Sequence, residues 1–511
     1  MKKVILSAAA LMFGAVAFAQ TTTSGTEASV PTGVAPTEAV DNRTATTPEG
    51  NYGESIQNGN DHKVRVRQAG SDNSVYTNQS DGSTSGGNKA DVVQTGAVQQ
   101  PNNPYSGQSN MAATVQVGGA NEASTWQQGD RNMAAIDQGL SDDSSTGNKA
   151  SIQQGNANNA EDNQAAIAQD GTSNEANIFQ TYDNNEAHID QDGSDNKSSV
   201  RQIANPENSA GHYAYNIQAG EENSSTIEQS GSADNDAIAI QKGDRNQSYQ
   251  VQSNAGVAGE GNQALVDQGE FFTSGGSVYT SNAFLMNTEV DEFLNDVNTG
   301  ESFGATAYQS QTGLSNEAEI YQFGRADESD SNNQAGQVQE GDDNDALIVQ
   351  NLGGNDQGGD NYAFQIQTEN SSGNLAALAQ NGTGHKGFQW QDGTNSSVRS
   401  VMRGSMNKLS TYQQGDANDI ETAQRGQHNA VLITQQSDGN SYVATQNLPN
   451  GMPVGMPNGG NQIDVWQTGP GMDSFSDPAN PFNCDFTNEV LTKMPLAPNA
   501  PANPDICQDC N

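Results

Sequence analysis

Few side chains in this sequence have the makings of a reaction centre. The five histidines are His62, His188, His212, His385 and His428. No two of them have the spacing that presents a pair of imidazoles to a metal from one helix. Cys507-Gln-Asp-Cys510 has dithiol spacing, but a metal wants four ligands and Cys484 is the only other cysteine. A single disulfide among Cys484, Cys507 and Cys510 is the expected arrangement in an oxidising compartment, with its pairing open. Asp-Gly pairs at Asp170-Gly171, Asp192-Gly193 and Asp392-Gly393 raise the question of calcium. The glycine-rich frame of calcium β-rolls, which repeats about every nine residues, is absent, and turn geometry accounts for Asp-Gly. An enzyme converges unlike groups on one point, whereas this chain spreads like groups evenly. Neither catalysis nor a metal or other cofactor is expected.

The chemistry that does recur is that of the primary amide. From Asn163 the chain reads NQAAIAQDGTS, NEANIFQTYDN, NEAHIDQDGSD, NKSSVRQ. With the leading Asn as slot 0, a small residue stands at slot 2, an aliphatic one at slot 4 and Gln at slot 6. Gly often follows at slot 8, and the next Asn comes at slot 11. Asn163, Asn174, Asn185 and Asn196 keep that spacing, and so do Gln169, Gln180, Gln191 and Gln202. A second run holds phase through Asn374, His385, Ser396, Asn407, Asn418, Asn429 and Asn440. Gln413, Gln424 and Gln435 stand at its slot 6, and Met402 is the one exception there. His62, His212 and His385 occupy slot 0 in place of Asn, so a structural role is expected of them. His188 and His428 fall at slots 3 and 10.

An amide both donates and accepts, so a column of identical amides bonds to itself, where a lone buried one would be a penalty. What must position such columns is a strand. Slots 0, 2, 4 and 6 share one character and slots 1, 3 and 5 another, which is the period of a strand rather than a helix. In residues 185–191 the even set is Asn, Ala, Ile and Gln and the odd set is Glu, His and Asp. The even face is expected to be buried and the odd face solvated. The odd-slot aromatics Trp126, Phe179 and Tyr321 are expected outside as lateral contacts. A seven-residue strand cannot bury enough surface alone, so the units must stack, two to a rung of about 22 residues, with like residues ~4.8 Å apart along the axis. The expected fold is all-β, a β-solenoid with amyloid-like stacking.

The rest of the sequence sets the context. Of 511 residues only 32% are hydrophobic, and 62 acidic residues face 20 basic ones for a net charge of -42. Mean hydropathy is -0.76. That charge argues against nucleic acid as a partner. Lys2 and Lys3, the apolar run at residues 4–16 and Ala17-Phe18-Ala19 resemble a secretory signal with cleavage before Gln20, and no membrane span is expected. The chain divides into a signal peptide (1–19), a disordered arm (20–50) and a repeat array (51–269). A non-repeat insertion (270–302), a second array (303–469) and a Cys-containing tail (470–511) follow. A helix is admitted only in the signal segment and near residues 288–297.

The frame Ser/Asn-x5-Gln-x-Gly-x2-Asn-x-Ala-x3-Gln resembles the curlin repeat. Asn174, Gln180, Asn185, Ala187 and Gln191 fill it in one place. Asn407, Gln413, Gly415, Asn418 and Gln424 fill it in another, with Ile420 in the Ala slot. The resemblance covers roughly residues 51–469. It implies an extracellular structural subunit that assembles with itself and with related curlin subunits into curli-like fibres of biofilm matrix and surface adhesion. It also implies export through an outer-membrane curli-type pore with periplasmic accessory proteins. The chain departs from that family in its many repeats and its Cys-bearing tail. The rival reading is a monomeric β-solenoid adhesin that does not polymerise.

Overall fold

In the computed structural model the described residues are 50–82, 86–95, 108–139, 144–155, 160–204, 211–254, 260–269, 302–324, 331–351, 358–446 and 460–468. The signal segment, the arm to residue 49, the tail and its cysteines, and residues 270–301 with the candidate helix lie outside them. Every regular element among the described residues is a strand. The strands pair in parallel, in sheets that alternate along the chain, and the fold is a β-solenoid. The described residues form two compact units. One runs to Ala239 and includes Ser253–Glu260, and the other comprises Ile240–Gln252 and everything from Gly261.

In each unit the chain lays one strand in a leading sheet and the next in a following sheet. The leading sheet of the first unit runs through Tyr52–Asn58, Ser74–Ser80, Met111–Val117, Met133–Gln138, Gln164–Thr172, Glu186–Ser194 and Tyr213–Glu221. Lys63–Gln68, Lys89–Thr95, Glu122–Asp130, Lys149–Gln154, Glu175–Thr181, Lys197–Ala204 and Ser224–Gly231 make its following sheet. The second unit repeats the scheme, and its last strands are Ser441–Gln446 (leading) and Gln462–Thr468 (following). Pairing is slot on slot: Ala165 on Ala187, Ile167 on Ile189, Gln169 on Gln191. Where the units are regular, stacked residues are 22 apart in sequence, as for Gln169 and Gln191. They are 37 apart between Gln79 and Gln116, and the strands that hold these two residues still pair slot on slot.

Stacking also decides the turns. A Cβ added to Gly171 would sit 2.1 Å from the carbonyl oxygen of Gly193, and one on Gly404 2.2 Å from that of Gly426. Glycine at slot 8 is therefore required by the neighbouring rung as well as by its own φ, +94° at Gly171 and +112° at Gly404. Two residues later the chain passes through the left-handed region again, at Ser173 (φ 58°), Asp195 (φ 56°) and Ala417 (φ 55°).

Even slots face inward. In the second unit Val266, Ile320, Ile348, Leu378, Val398, Leu409, Ile420, Val431 and Ile433 form one buried cluster. The odd face differs from the expectation. In the following sheet of the first unit it is open, with Ser124, Trp126, Asn177 and Arg201 exposed. In the leading sheet, however, His188 is 1% exposed and Tyr321 0%, so Tyr321 is not a surface contact. In the second unit Tyr308, Val338, Phe364, Phe388 and Tyr412 form a second buried cluster on the outward side. The reason lies in the residues: odd slots in these rungs carry Ala, Val, Leu, Phe and Tyr, which stack on one another as the inward set does. Trp390 and Tyr412 lie 4.2 Å apart ring to ring, and His188 and Tyr215 4.9 Å.

Candidate functional site

The recurring site is a set of amide columns that run along the two ends of the stacked strands. Asn163, Gln169, Asn174, Gln180, Asn185, Gln191, Asn196 and Gln202 are all buried, as are Asn407, Gln413, Asn418, Gln424, Asn429 and Gln435. At slot 6, Gln169 Nε2 donates to Gln191 Oε1 at 2.8 Å, and Gln191 donates onward to Gln218 at 2.7 Å. The following sheet repeats this from Gln180 to Gln202 at 2.9 Å and from Gln202 to Gln229 at 3.0 Å. In the second unit Gln391, Gln413, Gln435 and Gln467 form one continuous chain. Each Gln also ties the two sheets together. Gln180 Nε2 donates to the Gln164 carbonyl and Gln202 Nε2 to the Glu186 carbonyl, both at 2.8 Å. Because the carbonyls can only accept, they fix which end of each side-chain amide is nitrogen.

Asn columns run in the opposite sense. The Asn185 backbone N–H and Nδ2 both donate back to Asn163 Oδ1 at 2.9 Å. Asn196 donates likewise to Asn174, and Asn429 to Asn407. Asn418 receives the backbone N–H and Nδ2 of Asn440, and itself donates its N–H to Ser396 Oγ. Thus Gln side chains donate toward higher residue numbers and Asn side chains toward lower ones.

Three histidines take the Asn place. The N–H of Asn88 donates to His62 Nδ1 at 3.2 Å, that of Asn235 to His212 Nδ1 at 3.4 Å, and that of Asn407 to His385 Nδ1 at 3.3 Å. Nε2 of His385 faces the Asn381 carbonyl at 3.0 Å, which calls for the neutral tautomer protonated there. Burial pulls the imidazoles of His212 and His385 down to about 4. His188, on the outward side, is pulled down to about 3 by the same cause. Burial acts oppositely on acids: Asp137 is pushed up to about 7, with Asp170 and Asp190 adding repulsion. Glu319 is pushed up to about 8, with Glu317 and Asp345 adding theirs.

One ladder lies outside the Asn and Gln frame. At slot 4 of the second unit Gln250, Gln309, Gln337, Gln365 and Gln389 form a third column of amide bonds inside the core, ending on Ser400 Oγ. Its signal in the sequence is Gln-x-Gln at slots 4 and 6, in QVQ, QSQ, QVQ, QIQ and QWQ. One interruption is equally specific. Met402 occupies slot 6 between Gln380 and Gln424, and Gln424 Oε1 is buried with no hydrogen-bond partner. Among the described residues no group of three His, Cys, Asp or Glu side chains is placed to hold a metal ion.

This geometry defines a class: a parallel β-solenoid whose rungs are joined by stacked side-chain amides. Residues 171–203 match the family model of the curlin associated repeat, which supports the curlin family. No curated protein matches the chain. Both the matched repeat and the fold are structural rather than enzymatic.

Proposed function

We propose that this chain is a secreted structural protein that assembles with copies of itself, and with related curlin subunits, into curli-like extracellular fibres for biofilm matrix and surface adhesion. The observation that carries this is the way the sheets end. Among the described residues, Tyr52–Asn58 and Lys63–Gln68 each have a strand on one side only, and so do Ser441–Gln446 and Gln462–Thr468. Gln57 and Asn461 are exposed, while the amides within the columns are buried. An open edge with unsatisfied backbone and amide groups is a template for more chain. Export through an outer-membrane curli-type pore, assisted by periplasmic proteins, belongs to the same reading. So do the division at residues 19, 50, 269, 302 and 469 and a disulfide within the tail.

The test is incubation of the purified mature chain, followed by thioflavin fluorescence, electron microscopy and size-exclusion chromatography. Fibres that seed fresh monomer are expected. A species that stays monomeric at high concentration would favour the adhesin that does not polymerise.

A further inference from the structure

The two ends of the described array carry unlike side chains on their outward faces. On the first following-sheet strand, slots 1, 3 and 5 are Lys63, Arg65 and Arg67, three of only 20 basic residues in a chain of net charge -42. The Arg65 and Arg67 side chains are 64% and 59% exposed. Within the chain Arg65 pairs on one side with Asp91, the slot 3 residue of the next strand in the sheet. On its other side no strand among the described residues pairs with this one. On the last following-sheet strand the same slots hold Gln462, Asp464 and Trp466. Asp464 is exposed and Trp466 partly so, and Trp466 Nε1 donates to Asp464 Oδ1 at 3.0 Å. Leu432 and Thr434 respectively lie beneath them, and among the described residues no strand pairs with the upper edge.

We infer that the last rung of one copy seats on the first rung of the next in a single register, in which Asp464 meets Arg65 and Trp466 meets Arg67. This rests on the self-assembly reading and adds the register of the junction to it. Continuing each sheet with its own kind stacks slot 3 on slot 3, so Arg65 becomes the middle of an Asp464–Arg65–Asp91 column. Slot 5 on slot 5 sets the Arg67 guanidinium against the indole of Trp466, a favourable pairing of cation and ring face. The columns continue across the joint in the sense they already have. Gln467 presents Nε2 to Gln68 Oε1, as Gln435 does to Gln467. The competing register, turned by half a rung, seats the last following strand on Tyr52–Asn58. It puts Asp464 over Glu54 at slot 3 and Val443 over Arg65. A like-charge contact replaces an ion pair, so charge selects against the turned joint as well as for the continuous one.

The experiment is seeded elongation with the full mature chain. Asp464→Arg and Arg65→Asp are each expected to slow elongation roughly tenfold, about the effect of one unfavourable charge contact. The double variant restores an opposite pair at every joint, and is expected to elongate its own seeds within a few-fold of the wild-type rate while adding poorly to wild-type seeds. Asp464→Asn, which removes charge without reversing it, should fall between. A double variant no faster than the slower single variant, or equal elongation of both kinds of seed by the double variant, overturns the register while leaving self-assembly standing. Failure of the wild-type chain to form fibres overturns both.

Discussion

At the scale of single residues, the columns are most sensitive where they are broken or crowded. Gln424 Oε1 is buried without a partner because Met402 stands where an amide would donate. Met402→Gln changes volume little and would supply that donor while accepting from Gln380. We expect it to raise stability by about 1 kcal/mol, the net worth of an amide bond plus relief of an unmet acceptor, less the apolar burial of the thioether. Urea unfolding of the monomer at low concentration would check this, and a fall in the midpoint would contradict it. Glycine at slot 8 tolerates nothing larger: Gly404→Ala would force a Cβ to 2.2 Å from the Gly426 carbonyl oxygen. It should cost about 2 kcal/mol or more by clash and φ strain together. At slot 10 the opposite holds, since Ala417 already bears a left-handed φ of 55°. Ala417→Gly should stabilise by up to about 1 kcal/mol, and the same unfolding measurement distinguishes the two glycine positions.

The strand is the scale at which the sequence is most readable. A period of two with amides at fixed slots specifies stacked strands whatever the turn lengths, because each added residue in a turn leaves the slot pairing intact. Hence the all-β solenoid is legible, and the Asn and Gln frame coincides with residues that hydrogen-bond in columns. The outward face is less so. Residues 185–191, with Glu186, His188 and Asp190 at their odd slots, suggest a solvated surface. Elsewhere those slots hold Phe364, Phe388 and Tyr412, which stack into a cluster of their own. The core column from Gln250 to Gln389 escapes a frame that assigns slot 4 to aliphatic residues. A test of the columns must therefore choose its controls by burial. Replacing Gln413, Gln424 and Gln435 together by Ala should slow assembly far more than replacing the exposed Val443 and Thr445 with Asp419. Each buried amide removed leaves neighbours unpaired at ~1–3 kcal/mol. Tyr412 and Thr434 are unsuitable controls, being 1% exposed each. Equal slowing by the two sets would mean that the columns do not carry the stacking.

For the molecule as a whole, pH acts through groups that burial has shifted in both directions. Asp137 and Glu319, at about 7 and 8 in the fold, are protonated there more readily than in the unfolded chain. Their contribution to stability is complete below ordinary carboxylate pKa values and is lost as pH rises through 7 and 8. His212 and His385, at about 4, are neutral in the fold, so their contribution is present above about 6.5 and is lost as pH falls toward 4. Stability should therefore rise as pH falls from 8 to 6.5, then flatten as the histidines begin to oppose the acids. Assembly should be faster over the same range, since protonating carboxylates relieves repulsion between chains of net charge -42. Lag times across pH 4–8 at fixed salt report this directly. A lag that lengthens steadily on acidification would mean that imidazole protonation outweighs relief of repulsion.

The opposed sense of the Asn and Gln columns has an electrostatic consequence. An α-helix aligns its amide dipoles, and its ends gather partial charge. Here each rung contributes amide dipoles pointing both ways along the stack, from Gln169 to Gln191 in one direction and from Asn185 to Asn163 in the other. These largely cancel, as the backbone dipoles of a sheet do. Adding rungs therefore accumulates no end field from the side-chain amides, and the repulsion a growing stack meets comes from its carboxylates alone. Its two ends differ in where they donate and accept, a distinction that vanishes a few ångströms away, so an incoming copy must touch an end to tell which one it has met.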